Sequence, residues 1–274
     1  MAHARGGAVG VASASFYEPL GGDRYRSTEH TVGPWDDRSQ HGGPPSALLA
    51  RALEHHGGDW EATVTRMSVD ILGPVPVADV GIRTRVLRPG RSVELLEAEL
   101  DSGGRTVMRA TAWRIRRDEL ALPPLPGSGG GPGEDPVPAF PEEPSPAGPG
   151  WGGRYLSALE WRPVEGRPFE PGPATIWARL RHPLVAGEEP SGLQRLMAVA
   201  DSGNGVSSVL PIDRWLFVNT DLTVHLLAVP AGEWVCLHAR TTIDPAGFGL
   251  AASRLFDRDR LVGRGAQTLY VARR

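Results

Sequence analysis

The segment Met67-Ser68-Val69-Asp70-Ile71-Leu72 is answered much later in the chain by Leu222-Thr223-Val224-His225-Leu226-Leu227. In both, apolar side chains occupy alternate positions, the period of a strand with one buried face. The two segments lie 155 positions apart, and without a gap from Met67 to Arg116 the same offset places Val80 on Val235, Arg85 on Arg240 and Leu95 on Leu250. It continues with Leu100 on Leu255, Arg105 on Arg260, Val107 on Val262 and Arg109 on Arg264. Agreement over about fifty residues at one offset reads as an internal duplication, which governs the fold before any single element does.

Outward from the repeat, each half carries one helical pattern upstream and further alternating segments downstream. Ser46 to His56 sets Leu48, Leu49, Ala52 and Leu53 on one helical face, after prolines suited to a helix start and before the stop Gly57-Gly58. In the second half Leu193, Leu196, Met197 and Ala200 form the matching stripe, closed by Gly203. Alternation then recurs at Ile82 to Val86 and Val107 to Ile115, and again at Val235 to Ile243, Leu250 to Phe256 and Val262 to Val271. One long helix followed by an antiparallel meander is the expectation for each half. A helix surrounded by apolar sheet faces buries its whole stripe, so the fold class is α+β: two tandem modules, each an antiparallel sheet wrapped around one long helix. The two sheets should join edge to edge, since two open strand edges would otherwise remain.

Leu120 to Gly150 includes Pro-Pro-Leu-Pro-Gly-Ser-Gly-Gly-Gly-Pro-Gly at 123–133, a composition that buries too little apolar surface to fold. The expected organisation is a flexible arm at 1–15, an N-terminal module at 16–119, a Pro/Gly-rich linker at 120–150 and a C-terminal module at 151–274.

Composition excludes several functions. The net charge of -3 comes from 29 basic and 32 acidic residues with no basic run, so no nucleic-acid partner is expected. Lysine is absent, which removes Schiff-base chemistry and a lysine-bearing phosphate loop. The lone Cys236 has no internal disulfide partner and no Cys/His cluster has zinc-ligand spacing, so neither metal nor cofactor is expected. Met1 to Ser15 lacks the apolar core of a signal peptide and no membrane-length apolar run follows. No membrane span and a cytoplasmic location are the expectations. No Gly-x-Ser-x-Gly elbow occurs, which disfavours an α/β-hydrolase.

Five segments carry a family likeness: Gln40-His41-Gly42-Gly43-Pro44-Pro45, Ala200-Asp201-Ser202-Gly203-Asn204-Gly205, Asn219-Thr220-Asp221-Leu222-Thr223-Val224-His225, Pro230-Ala231-Gly232-Glu233-Trp234 and Arg264-Gly265-Ala266-Gln267-Thr268-Leu269. In this order they resemble the thioesterase-like superfamily related to bacterial acyl-CoA thioesterase II, a double hot-dog fold. The resemblance spans most of the chain apart from the arm and the linker. It implies hydrolysis of an acyl-CoA or acyl-carrier thioester by a water that an aspartate, a hydroxyl residue and a glutamine hold. Asp201 and Gln267 match the aspartate and the glutamine. The hydroxyl position falls on Asn219, with Thr220 beside it, which departs from the family's threonine.

Thioester hydrolysis requires an activated water and a group that stabilises the oxyanion. Asp201 would take the water's proton while Asn219 and Gln267 orient the water. Gly42 and Gly43, ahead of the first helix, would offer backbone amides and the positive end of its dipole to the thioester oxygen. His41 would add a donor, or else cap and pack. The candidate catalytic residues are Asp201, Asn219 and Gln267, and the candidate substrate-binding residues are His41, Gly42, Gly43 and Thr220. A homo-oligomer is expected.

Plainer roles stand beside these. Asp201 would serve equally as a helix-end residue, Gln267 as a solvated sheet residue, and Asp221 and Thr223 as strand surface. Asp70 and His225 share a repeat position, which points to structure. Two other functions compete: a non-catalytic acyl-thioester binding protein, and a hot-dog enoyl-CoA hydratase or dehydratase. The latter needs an aspartate and a histidine at short spacing, and none of the eight histidines follows Asp201 closely.

Overall fold

A computed structural model describes residues 14–57, 61–121, 123, 135–143, 154–166 and 170–274. Nearly all of the expected arm and much of the expected linker lie outside the described residues. The first half comprises β1 (Tyr17–Gly21), β2 (Arg24–Ser27), α1 (Gly43–His55), β3 (Ala62–Ile71), β4 (Asp79–Arg88), β5 (Val93–Ser102) and β6 (Arg105–Arg116). The second comprises α2 (Arg154–Ser157), β7 (Leu159–Glu165), β8 (Ala174–Leu180), α3 (Gly192–Ala200), α4 (Gly203–Val206), β9 (Trp215–Asn219), β10 (Asp221–Leu226), β11 (Val235–Asp244), β12 (Phe248–Phe256) and β13 (Leu261–Arg273).

These strands form one antiparallel sheet in the order β1-β2-β4-β5-β6-β3-β10-β13-β12-β11-β8-β7, with β9 also paired to β13. The order is a palindrome of the repeat, because each half contributes the same sequence of strands read from opposite edges. The halves meet where β3 pairs with β10, Ser68 opposite Thr223. Their hydroxyls are 3.0 Å apart and they are separated by 155 residues, the repeat offset itself. A pseudo-twofold axis therefore passes through this pair. The expected meander is corrected in one respect: β3 pairs with β6 and not with the next strand in sequence, which frees its other edge for β10.

The helices depart from expectation at their ends. The prolines of the first turn, with φ already set for a helix, let α1 begin at Gly43, ahead of the expected Ser46. In the second half the stripe forms a helix of only 9 residues, capped by the Ser191 hydroxyl, which accepts from Gln194 N–H. Beyond it the turn tightens, the Ser202 N–H bonding to Val199 O three residues back. Gly203 opens the short α4 and does not close the helix.

The two central helices run antiparallel, the start of α1 against the end of α3. A Cβ on Gly43 would sit 2.3 Å from Ala198 O, so only glycine permits this approach. Helix α1 covers β3 to β6, and α3 covers β8, β11 and β12. Leu48, Leu49, Leu53, Leu196 and Met197 are fully buried in a single core that spans both halves. Each such side chain contributes about 1.5–3 kcal/mol of burial. Arg114 on β6 is buried, pairs with Glu94 and donates to Leu53 O in the last turn of α1 and to His56 O just beyond it at 2.8 Å.

Part of the expected linker is packed. Among residues 135–143, Asp135 bridges Arg254 and Arg264 on β12 and β13. Phe140 meets Trp177 and Trp234 edge-on, and the Trp177 indole donates to Ala139 O at 3.0 Å. Cys236 is buried in the same cluster, and burial pushes its thiol up to about 12, the state of an inert thiol.

Candidate active site

The site forms where the two halves differ. Strand β3 bulges at Thr65 but continues, whereas its counterpart stops at Asn219 and resumes at Asp221. The Asn219 side chain, at the end of β9, donates from Nδ2 to Asp201 Oδ1 at 2.8 Å. Asp201 caps the end of α3 and is 3% exposed. Gln267 lies on the inward face of β13 with Leu269 and Val271 and is buried. Its Nε2 donates to Asp201 O at 3.0 Å and lies 3.4 Å from Asp201 Oδ1, while its Oε1 accepts from Asn204 N–H at 3.0 Å.

The first half contributes His41. Its Nδ1 lies 3.1 Å from Asp201 Oδ2, and the Gly43 N–H points at the same nitrogen from 3.0 Å. The ring stacks on Tyr155 at 3.8 Å, and the Tyr155 hydroxyl donates to Ala198 O at 2.7 Å and lies 3.1 Å from Ser202 Oγ. Burial holds His41 below the usual histidine range, with the Asp201 charge pulling the other way, so the ring is neutral near pH 7. Burial also pushes the Tyr155 phenol well up. A Cβ on Gly42 would lie 2.7 Å from Asp201 Oδ2, so the carboxylate rests directly on the backbone at the start of α1.

These groups stand at the polar end of a cavity of about 750 Å³, a volume suited to a small-molecule ligand. His41, Gly42, Asp201, Ser202, Asn204 and Asn219 face it there, and Trp35, Ile71, Val75, Leu210, Phe217 and Tyr270 supply apolar wall. A buried carboxylate with amide donors beside an apolar slot can hold a water against a bond at the head of an apolar chain.

Of the residues chosen from sequence, Asp201, Asn219, His41 and Gly42 come together at this end. Gln267 does not line the cavity and stands behind Asp201. Gly43 faces α3, and Thr220 lines the cavity but is exposed, its hydroxyl 3.4 Å from Thr268 O. Tyr155, Ser202 and Asn204 were missed as parts of the site. Ser202 and Asn204 flank Gly203 beside Asp201, a signal available in the sequence, but nothing there marks Tyr155.

Comparison with known proteins places the chain and its fold. The acyl-CoA thioesterase N-terminal domain family matches residues 31–115, and the acyl-CoA thioesterase C-terminal domain family matches residues 133–271. Uncharacterized proteins of Mycobacterium bovis and Mycobacterium tuberculosis are 28% identical over 238 residues, 76% of this chain and 76% of theirs. A candidate thioesterase II from Thermobifida fusca superposes with a TM-score of 0.71 at 21% identity, over 95% of this chain and 96% of that one. A protein with a hot-dog fold and unknown function from Alicyclobacillus acidocaldarius gives 0.68 at 18% identity, over 94% and 96%. Among the described residues, no helix is long and apolar enough to cross a membrane. With a domain of each kind in tandem on a hot-dog fold, the chain belongs to the acyl-CoA thioesterase family.

Proposed function

We propose that the chain hydrolyses an acyl-CoA thioester with a water held at Asp201. The observation that supports this most is the convergence of Asn219 and Gln267 on Asp201 Oδ1 at the polar end of an apolar cavity. In this reading Asn219, its Nδ2 engaged by Asp201, accepts from the water through its amide oxygen. The water's oxygen bonds to the thioester carbon as its proton passes to Asp201, and the proton leaves with sulfur when the C–S bond breaks. The backbone amide of Gly42, which lines the cavity at the start of α1, faces the developing oxyanion, while the Gly43 N–H is engaged by His41 Nδ1. Gln267 orients Asp201 from behind and does not touch the water. Residues 16–119 and 151–274 are the two modules, each sheet wrapped around its helix, and the protein works in the cytoplasm as a homo-oligomer.

The replacement of the family's threonine by Asn219 favours a second reading, an acyl-thioester binding protein without turnover. Release of free thiol from a series of acyl-CoAs of increasing chain length separates the two. Saturable binding with no thiol release above the buffer blank rejects the hydrolase. Because His41 and Asp201 adjoin in space, an enoyl-CoA belongs in the same series, where hydration without thiol release marks a hydratase.

A further inference from the structure

Trp35 belongs to the first half by sequence and to the second by packing. Residues 33–39 leave the first module as a loop pinched at its base, where Val32 bridges Gln40 and the Gly33 N–H donates to Ser39 O at 2.9 Å. Gln40 fixes that base further, accepting from the Tyr17 hydroxyl at 2.6 Å and donating from Nε2 to Pro76 O at 2.8 Å. The tip carries Trp35 onto the wall of the cavity, edge-on to Phe217 with the ring centroids 5.3 Å apart. The Arg274 guanidinium stands over the same indole, 5.2 Å from the ring centre. Two contacts from the second half therefore hold a ring that the first half supplies.

Strand β9 relates this ring to the polar end of the cavity. Phe217 precedes Asn219 by two residues, about 7 Å along an extended strand, and both line the cavity. We infer that Trp35 is the specificity-determining residue of the site: an acyl group with its carbonyl at Asp201 and Asn219 runs past Phe217 and ends against the indole, which excludes the longest chains. This inference rests on the thioesterase reading and deepens it by naming what limits the acyl group. Each methylene buried within the slot should improve binding by about fourfold. A chain that reaches the indole gains no more, because further methylenes must displace a ring packed on Phe217. Leu210, in the same apolar cluster, and the exposed Ile212 also line the cavity, and a longer chain would lie along them once the indole is removed.

Thiol release by the full chain from straight-chain acyl-CoAs, butanoyl to hexadecanoyl, is the test. In the wild type kcat/KM should climb with chain length, pass through a maximum and fall before hexadecanoyl. Trp35→Ala should move the maximum to a longer chain and raise kcat/KM for hexadecanoyl-CoA by about tenfold, with the shortest substrates little changed. Trp35→Phe keeps a smaller ring against Phe217 and should place the maximum between the two, which separates a change of slot from a loosened fold. A wild type that still gains at hexadecanoyl overturns the inference, as does an alanine variant that loses the same factor at every chain length. Acyl-CoA affinities measured in Asp201→Asn, with and without Trp35→Ala, give the same profile without turnover. A chain-length limit in those affinities that Trp35→Ala relieves, beside a wild type that releases no thiol, keeps Trp35 in its role and rejects the hydrolase. Thiol release with one identical profile in the wild type and Trp35→Ala keeps the hydrolase and rejects the role of Trp35.

Discussion

Glu54 and Asp201 hold related places, each at the end of one central helix and each reaching the beginning of the other. Glu54 accepts from the Ser191 hydroxyl at 2.7 Å and from Gln194 Nε2 at 3.0 Å, and these neutral donors fasten the end of α1 to the start of α3. Asp201 instead meets His41, Asn219 and Gln267 and faces a cavity. The repeat offset explains the difference, since the counterparts of Asn219 and Gln267 are Val64 and Ala112, both buried in the core. The same helix contact serves as a fastening where the sheet behind it is apolar. It becomes a candidate reaction centre where a broken strand and a glutamine add polar groups.

The sharpest way to break the comparison is to neutralise each carboxylate. Asp201→Asn should lower turnover of the best acyl-CoA by about 10²–10⁴-fold while binding survives. Glu54→Gln should leave turnover intact and reduce stability by about 1 kcal/mol, read by denaturant unfolding. Equal catalytic losses would mean that both ends do the same work. Gly43→Ala tests the close helix contact at the Asp201 end, and a methyl there should destabilise by about 1–3 kcal/mol. An unchanged unfolding midpoint would show that the helices can separate slightly without penalty. Gln267→Ala should reduce turnover by about tenfold, a smaller loss than Asp201→Asn, because it holds the base and not the proton.

Acid should tell the two ends apart. His41 is held low by burial, so the unfolded chain takes up a proton that the folded chain refuses as pH falls below about 6.5. Stability should therefore decline from pH 7 toward pH 5, with His182 and His238, also held low by burial, adding to the slope. A melting temperature measured across that range should fall less in His41→Asn than in the wild type, and a parallel fall would take His41 out of the account. The smallest effect is expected from Asn219→Thr, which restores the hydroxyl and should preserve or raise the rate. A marked loss would show that a hydroxyl cannot take the place of the Asn219 amide.

The repeat was legible because strands on a shared sheet reuse the same inward positions, and it located β3 to β6 and β10 to β13. Strands β7 and β8 escaped because Pro163 interrupts one and the other, beginning Ala174-Thr175-Ile176-Trp177-Ala178, is buried on both faces and has no alternation to read. Gln267 could be taken for a solvated residue until its parity with Leu269 and Val271 is counted, which sets it on the inward face. The pairing of His41 with Asp201 was not legible, since a search for an acid and a histidine close in sequence never crosses from one half to the other. The packing of Asp135 and Phe140 was hidden by the proline and glycine around them, a composition that describes the neighbourhood and not those side chains.

The axis through Ser68 and Thr223 bears on ancestry. A symmetric pair of separate subunits inherits every substitution twice, so a gene cannot convert one site and spare the other. Once both copies lie in a single reading frame, a codon change alters one site alone. Val64 and Asn219 differ in this way, one buried in the core and the other set against Asp201 at the cavity.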